Sequence, residues 1–317
     1  MRISVVIPVY NSAVTIGRLV DDIARELSEH DFQVVLVNDC SRDHSDEVCR
    51  GIYAKYRGKI TYLKLARNFG EHNAVMAGLN YATGDYIVIM DDDFQNPPDE
   101  VLQLAREAER GSYDAVYSYY EKKEHSWFRN LGSAFNNWVA NFMLDKPRDL
   151  YLSSFKCMNR FLVNEIVKYV GTSPYIDGLI FSCTSNVGRV KVRHDPRENG
   201  RSGYTFAKLI RLWSAMFVNF SILPLQLCLV LGLCMSVIAG VLAVAVVVER
   251  LITPDFPAIG WASLATMILL FSGVQLCMIG VLGEYVGNTL LNTNRLPQFV
   301  VGSVLERNSD HERVQTP

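Results

Sequence analysis

Five short apolar runs, SVVIPV, FQVVLV, ITYLKL, YIVIM and DAVYS, mark the chain from Ser4 to Ser118, each closing on polar residues. Between them lie segments of helical period such as VTIGRLVDDIARELSE. Strand-length runs alternating with amphipathic helices predict βαβ units, and their near-continuous apolarity predicts a parallel sheet covered on both faces. From about Glu121 to Gly203 the pattern is less regular: FRNLGSAFNNWVANFML and RFLVNEIVKYV read as helices around shorter extended pieces.

Beyond Leu212 the pattern changes kind. No charged residue occurs from Trp213 to Val248, nor from Phe256 to Gly283, and a bilayer core is crossed by about 20 apolar residues of helix. Two membrane helices are expected. Pro224 divides the first run, because proline removes a backbone donor, so the first span is placed at about Leu225–Val248. Before it, YTFAKLIRLWSAMFVNF spaces Lys208 and Arg211 among Phe206, Leu209, Trp213 and Phe217, which suits an amphipathic helix lying in the membrane interface. The alternatives are a buried core helix there and an apolar hairpin enclosed in a soluble core. Lys208, Arg211, Arg295, Arg307 and Arg313 fall on one side of the hairpin, so both its ends are expected in the cytoplasm. The expected division is therefore 1–203 for the sheet domain, 204–223 for the interfacial helix, 224–284 for the hairpin and 285–317 for a cytoplasmic tail. Gly232, Gly240, Gly273, Gly280 and Gly283 suit close helix contact and hence a homo-oligomer.

Composition narrows the classes. The 317 residues are 49% hydrophobic with a net charge of −2 and no run of five basic residues, which excludes wholesale disorder and leaves no electrostatic basis for binding nucleic acid. Seven cysteines without a C-x-x-C pair read as reduced, cytoplasmic thiols. The opening MRISVVIPVYNS has one positive charge and a short apolar run ended by Pro8, a first strand rather than a signal peptide.

Ligands of open α/β sheets bind beyond the carboxyl ends of the strands. Those ends carry Pro8, Tyr10 and Asn11; Asn38, Asp39 and Ser41; Arg67 and Asn68; and Asp91, Asp92 and Asp93. Neither a G-x-G-x-x-G nor a P-loop is present. On an extended chain Asp91 and Asp93 face the same way and Asp92 the opposite. Oxygen-only ligands of this kind suit Mg2+ or Mn2+. The alternative is an acidic surface turn, or caps for the helix that PPDEVLQLAREAER begins at Pro97.

The stretches VVIPVYN, VNDCSRD, LARNFGEHNAVMAGL, DDDFQNPP, RENGRSGY and GVLGEYVG together resemble the family 2 glycosyltransferases of the A fold. More narrowly they resemble the membrane-anchored polyprenyl-phosphate glycosyltransferases, among them dolichyl-phosphate mannose synthases and bacterial enzymes that charge undecaprenyl phosphate with glucose or aminoarabinose. The likeness runs from about Ile3 to the end of the second span. It implies an A-type α/β fold with a mostly parallel, Rossmann-like sheet, and inverting transfer from a nucleotide-diphosphate sugar to a polyprenyl phosphate at the bacterial inner membrane. Pro8, Tyr10, Asn11, Asp39 and Ser41 are then expected at the nucleotide, with Arg67 and Asn68 beside it. The resemblance puts Asp91 near ribose and diphosphate, Asp93 and Gln95 on the metal, and Arg129, Arg197 and Ser202 on the diphosphate and the lipid phosphate. Uridine is the expected base, guanosine its competitor.

At Ser154 some bacterial members have an acid and the dolichyl type has serine. A lipid phosphate is largely anionic at neutral pH, since its second pKa is about 6, so a base is dispensable. Two other readings stay open: a processive polysaccharide synthase, whose Q-x-x-R-W motif is lacking around Arg211–Trp213, and a membrane-bound sugar-nucleotide scaffold without turnover.

Overall fold

The computed structural model describes residues 1–120, 150, 152–193, 223–252, 260–294 and 296–306. Arg129, Arg197, Ser202 and the expected interfacial helix lie outside them. The chain divides into two units, Met1–Gly203 with Arg295–Pro317, and Tyr204–Asn294.

The apolar runs become strands β1 (Arg2–Val9), β2 (Asp31–Asn38), β3 (Ile60–Leu65), β4 (Tyr86–Ile89) and β5 (Ala115–Tyr119). Helices α1 (Ile16–Glu26), α2 (Ser45–Lys55), α3 (Glu71–Tyr81) and α4 (Glu100–Arg110) alternate with them. The prolines at 97 and 98 thus precede regular helix, which starts at Glu100 rather than Pro97. Strands β6 (Lys156–Asn159) and β7 (Val187–Lys191) follow, with α5 (Arg160–Ile166) and α6 (Ile176–Cys183) between them.

A strand β8 (Val301–Leu305) completes an eight-stranded sheet of order β7-β5-β6-β4-β1-β2-β3-β8. The pairs β1–β2, β1–β4, β2–β3 and β5–β7 are parallel. Strand β6 runs antiparallel to both β4 and β5, and β8 antiparallel to β3.

Helix α1 lays Ile16, Leu19, Val20 and Ile23 on the sheet, the i, i+3, i+4, i+7 stripe of a one-sided helix. Helix α3 is buried continuously from Ala74 to Leu79. Its approach depends on Gly78, where a Cβ would meet Val6 Cγ1 at 2.4 Å. Wholly buried Val5, Ile7, Val34, Leu36 and Val88 show why β1, β2 and β4 read as unbroken apolar runs.

In the second unit, α7 (Leu223–Ile252) and α8 (Trp261–Thr293) contain stretches long and apolar enough to cross a membrane. These are Leu225–Leu242, of mean hydropathy 2.4, and Phe271–Leu291, of mean hydropathy 1.3. The boundary expected at 284 falls within α8. No proline or other strong breaker stands between Glu284 and Thr293, so α8 runs on to Thr293. Val301–Leu305 then pair with Tyr62–Leu65 as part of the first unit.

Candidate active site

The carboxyl ends of β1 to β4 form one rim, stitched by hydrogen bonds between loops. Asp39 N–H donates to Val9 O at 2.9 Å. Asn11 N–H donates to Ser41 Oγ at 3.1 Å, and Asn11 Oδ1 accepts from Arg42 N–H at 2.8 Å. Ser41 N–H donates to Asn38 Oδ1 at 2.8 Å. Three of the rim's residues, Asn11, Cys40 and Phe94, have φ of 56°, 56° and 62°. Asparagine tolerates this left-handed region; cysteine and phenylalanine do so at a cost of about 1–2 kcal/mol each. Polar groups at the other end of the sheet close on one another, with Ser4 Oγ donating to Gln33 Oε1 and Gln33 Nε2 to Thr61 Oγ1.

Asp39, 3% exposed, binds the second strand end to the third. Its Oδ1 accepts from Phe69 N–H at 2.7 Å and its Oδ2 from Gly70 N–H at 2.8 Å. Gly70, at φ 91°, supplies the turn that brings both amides round. Burial raises the Asp39 pKa above the usual range, and the two amides pull it back. Pro8 sits within β1 opposite Val37, Tyr10 is exposed, and Arg67 and Asn68 are exposed. The Arg67 guanidinium stands 4.6 Å from the Phe69 ring centroid.

The acidic turn departs from its expected geometry. Strand β4 ends at Ile89 and the chain bends from Asp92 to Asn96, so strand alternation does not govern the three aspartates. Asp92, expected on the opposite face, instead accepts from Ser12 Oγ and from Tyr10 N–H, tying this turn to the β1 loop. Asp91 accepts from Ser154 Oγ. Asp93 Oδ1 accepts from Gln95 N–H at 3.1 Å. Burial pushes Asp91 up to about 6, Glu71 and Asp93 adding to it while the Ser154 hydroxyl and Lys156 oppose it. Burial also pushes Asp92 up to about 6 against the bonds from Ser12 and Tyr10.

Several residues of this region carried no weight in the sequence. Glu71, the first residue of α3, is open to solvent yet ringed by enough protein for its pKa to be raised. It feels Lys156 first and then Asp92, Asp177 and Asp93. Burial lowers the His72 pKa, and the His72 ring meets Tyr175 edge-on at 5.5 Å. Lys156 in β6, 4% exposed, is paired with Asp177 in the first turn of α6, which also accepts from Tyr117 OH at 2.8 Å. A lysine inside a four-residue strand and an aspartate in YIDGLI were the available signals.

Oxygen donors from carboxylates, with raised pKa values and several negative charges close together, favour a hard divalent cation. Mg2+ and Mn2+ need only one or two protein carboxylates when substrate phosphates complete the shell. Among the described residues, no three His, Cys, Asp or Glu side chains converge as a ready-made metal cage. Asp93 and Gln95, adjacent in one turn, fit the first arrangement, not the second.

The profile described as Glycosyl transferase family 2 matches residues 4–168, which span β1 through α5. This chain belongs to glycosyl transferase family 2. Within the family it is 31% identical over 311 residues to the undecaprenyl-phosphate 4-deoxy-4-formamido-L-arabinose transferase of Enterobacter sp. (strain 638), covering 97% of this chain and 95% of that one. It is 31% identical over 315 residues to the protein of that name from Proteus mirabilis (strain HI4320), with 96% and 94% covered. The fold is that of glucosyl-3-phosphoglycerate synthase from Mycobacterium tuberculosis in complex with Mn2+, UDP-glucose and phosphoglyceric acid. That likeness has a TM-score of 0.52 at 17% identity, covering 68% of this chain and 78% of that one. This family 2 member therefore combines an A-type sheet with two long apolar helices.

Proposed function

We propose that this glycosyltransferase moves a sugar from a nucleotide-diphosphate donor, UDP-linked, to the phosphate of a polyprenyl carrier of the undecaprenyl type, with inversion at the anomeric carbon. The observation that carries the reading is the likeness to the undecaprenyl-phosphate transferases over 97% of the chain, which takes in the apolar helices as well as the sheet. An acceptor rooted in lipid gives those helices a purpose. The protein belongs, on this reading, in the bacterial inner membrane with its sheet unit on the cytoplasmic side.

The nucleotide takes the rim of β1 to β3. Asp39, with both oxygens engaged by backbone amides, retains lone pairs to receive an N–H of the base. Tyr10, Asn11 and Ser41 line the same rim, and Arg67 and Asn68 lie exposed beside it. Asp93 and Gln95 hold Mg2+ or Mn2+, with Asp91 next to the ribose and diphosphate. When bound, the cation supplies compensation for the negative charge that grows on the departing nucleoside diphosphate. Arg129, Arg197 and Ser202 are assigned to the diphosphate and the lipid phosphate, for which permanently charged guanidinium groups are apt. Ser154 donates to Asp91, so it is not the base here. The lipid phosphate, largely ionised at neutral pH, acts as its own nucleophile.

Incubating the full chain with labelled UDP-sugars, Mg2+ and undecaprenyl phosphate tests this. Label moving into the lipid phase, and none doing so with EDTA present, is expected. Label appearing in polymer, or donor bound without any product, overturns the reading.

A further inference from the structure

The register of β6 explains more than the strand itself. In the β4–β6 pair Ile89 stands opposite Lys156, where the ladder ends, and just beyond it Ser154 Oγ reaches Asp91. In the β5–β6 pair Tyr117 stands opposite the same Lys156, and beyond it Tyr120 OH lies 3.0 Å from Ser153 Oγ. The residues that lead into β6 therefore lie between the exits of β4 and β5, and consecutive hydroxyls serve the two sides.

The hydrogen bonds follow that placement. Ser154 Oγ donates to Asp91, at the start of the acidic turn. Ser153, 4% exposed, takes a hydrogen bond at 2.8 Å from Ser118 Oγ and shares one at 3.0 Å with Tyr120 OH. Tyr120 OH in turn donates to Asn96 Oδ1 at 2.8 Å, and Asn96 is 2% exposed at the end of the same turn. Between those fixed points lie Asp92, Asp93, Phe94 and Gln95, with Phe94 at a positive φ that a bulky side chain adopts only when its surroundings impose it.

We propose that Ser153 and Ser154 are positioning residues that set the shape of the acidic turn, Ser154 holding Asp91 directly and Ser153 holding Asn96 through Tyr120, so that Asp93 meets the cation and diphosphate in one fixed place. The consequence for binding rests on the proposed function; the consequence for the turn does not. The double anchor makes the turn's two ends independent, because loss of one leaves the other in place.

Two measurements on the full chain separate these consequences. Hydrogen–deuterium exchange across residues 90–98 reads the turn without any ligand. Ser154→Ala and Tyr120→Phe are each expected to speed exchange there while thermal midpoints stay close to the parent, Ser154→Thr is expected to restore protection, and the double variant is expected to exceed either single one. Mn2+ affinity at fixed UDP, read by electron paramagnetic resonance of the free ion, is expected to fall about tenfold in Ser154→Ala, the scale of a lost bond to a charged group, and to recover in Ser154→Thr. Unchanged exchange in both single variants overturns the proposal. So does a Ser154→Ala protein that binds Mn2+ and UDP like the parent. Should the parent itself not bind Mn2+ with UDP, the donor reading falls, and the exchange result alone still decides whether the serines shape the turn.

Discussion

Two carboxylates on the same rim are held in opposite ways. Asp39 lies where parallel strands β2 and β3 end side by side, and its partners are two backbone amides of the next loop. Asp91 lies where β4 ends against an antiparallel neighbour, and its partner is a side-chain hydroxyl from the residues entering β6. In a parallel pair both chains leave at the rim, so loops meet loops, and what the loop after β3 offers Asp39 is main chain. In an antiparallel pair one chain arrives as the other departs, so the partner is whatever side chain the register delivers. The first arrangement depends on the backbone turn at Gly70; the second depends on one side-chain hydroxyl.

Breaking the comparison at the middle of the acidic turn has the largest expected effect. Asp93→Ala, or EDTA on the parent protein, is expected to lower sugar transfer about a thousandfold, the scale of removing stabilisation confined to the transition state, while thermal unfolding moves little. Transfer within threefold of the parent in either case would show that no cation at Asp93 takes part.

Asp39→Ala comes next and works through stability. It orphans the amides of Phe69 and Gly70, each bonded to a charged group, and is expected to cost about 3 kcal/mol. Urea unfolding of the sheet unit in detergent reads the loss. A midpoint equal to the parent's sinks the account of Asp39 as the tie between the loops of β2 and β3.

The pH dependence ranks third. Asp91 and Asp92, at about 6 in the folded chain against 3.8 ordinarily, bind more protons folded than unfolded between those values. Stability without metal therefore falls as pH rises from about 4 to 6, by on the order of 2 kcal/mol for each carboxylate. Asp21, Asp43 and Asp46 are shifted downward and titrate below that window. Thermal midpoints in EDTA are expected to drop across it, and Asp91→Asn is expected to flatten the drop; a midpoint that climbs over the same range contradicts the assignment.

The smallest effect belongs to Arg67→Ala. Losing a guanidinium beside the Phe69 ring costs about 0.5–1 kcal/mol at an exposed site, so a donor KM raised no more than about fivefold is expected. A loss of a hundredfold would make Arg67 a phosphate ligand instead.

The same contrast explains what the sequence discloses. Strands β1 to β5 announce themselves because burial on both faces demands unbroken apolar runs. The polar residues after β1 to β4 follow as rim residues from topology alone. Strand β6 does not announce itself: KCMN begins with a lysine that is buried because Asp177, 21 residues on, neutralises it, and Tyr117 OH donates to that same aspartate. No local pattern encodes a partner at that distance. Asp39 was visible as a rim residue, but its bonds from Phe69 and Gly70 depend on a loop conformation set by one positive φ. The spacing of Asp91 and Asp93 does not by itself set their direction, since strand alternation ends at Ile89.

Strand β8 reaches the sheet only after the chain has passed through both long apolar helices. It covers the outer edge of β3, adds Ala66 N–H to Val300 O at 2.9 Å, and sets Glu306 O to receive Tyr53 OH at 2.8 Å. Cutting the gene after Gly203 to obtain a water-soluble fragment would thus bare a flank rich in unsatisfied main-chain groups, an invitation to self-assembly. A shortened version that stays in solution has to splice Arg295–Glu306 back on through a linker.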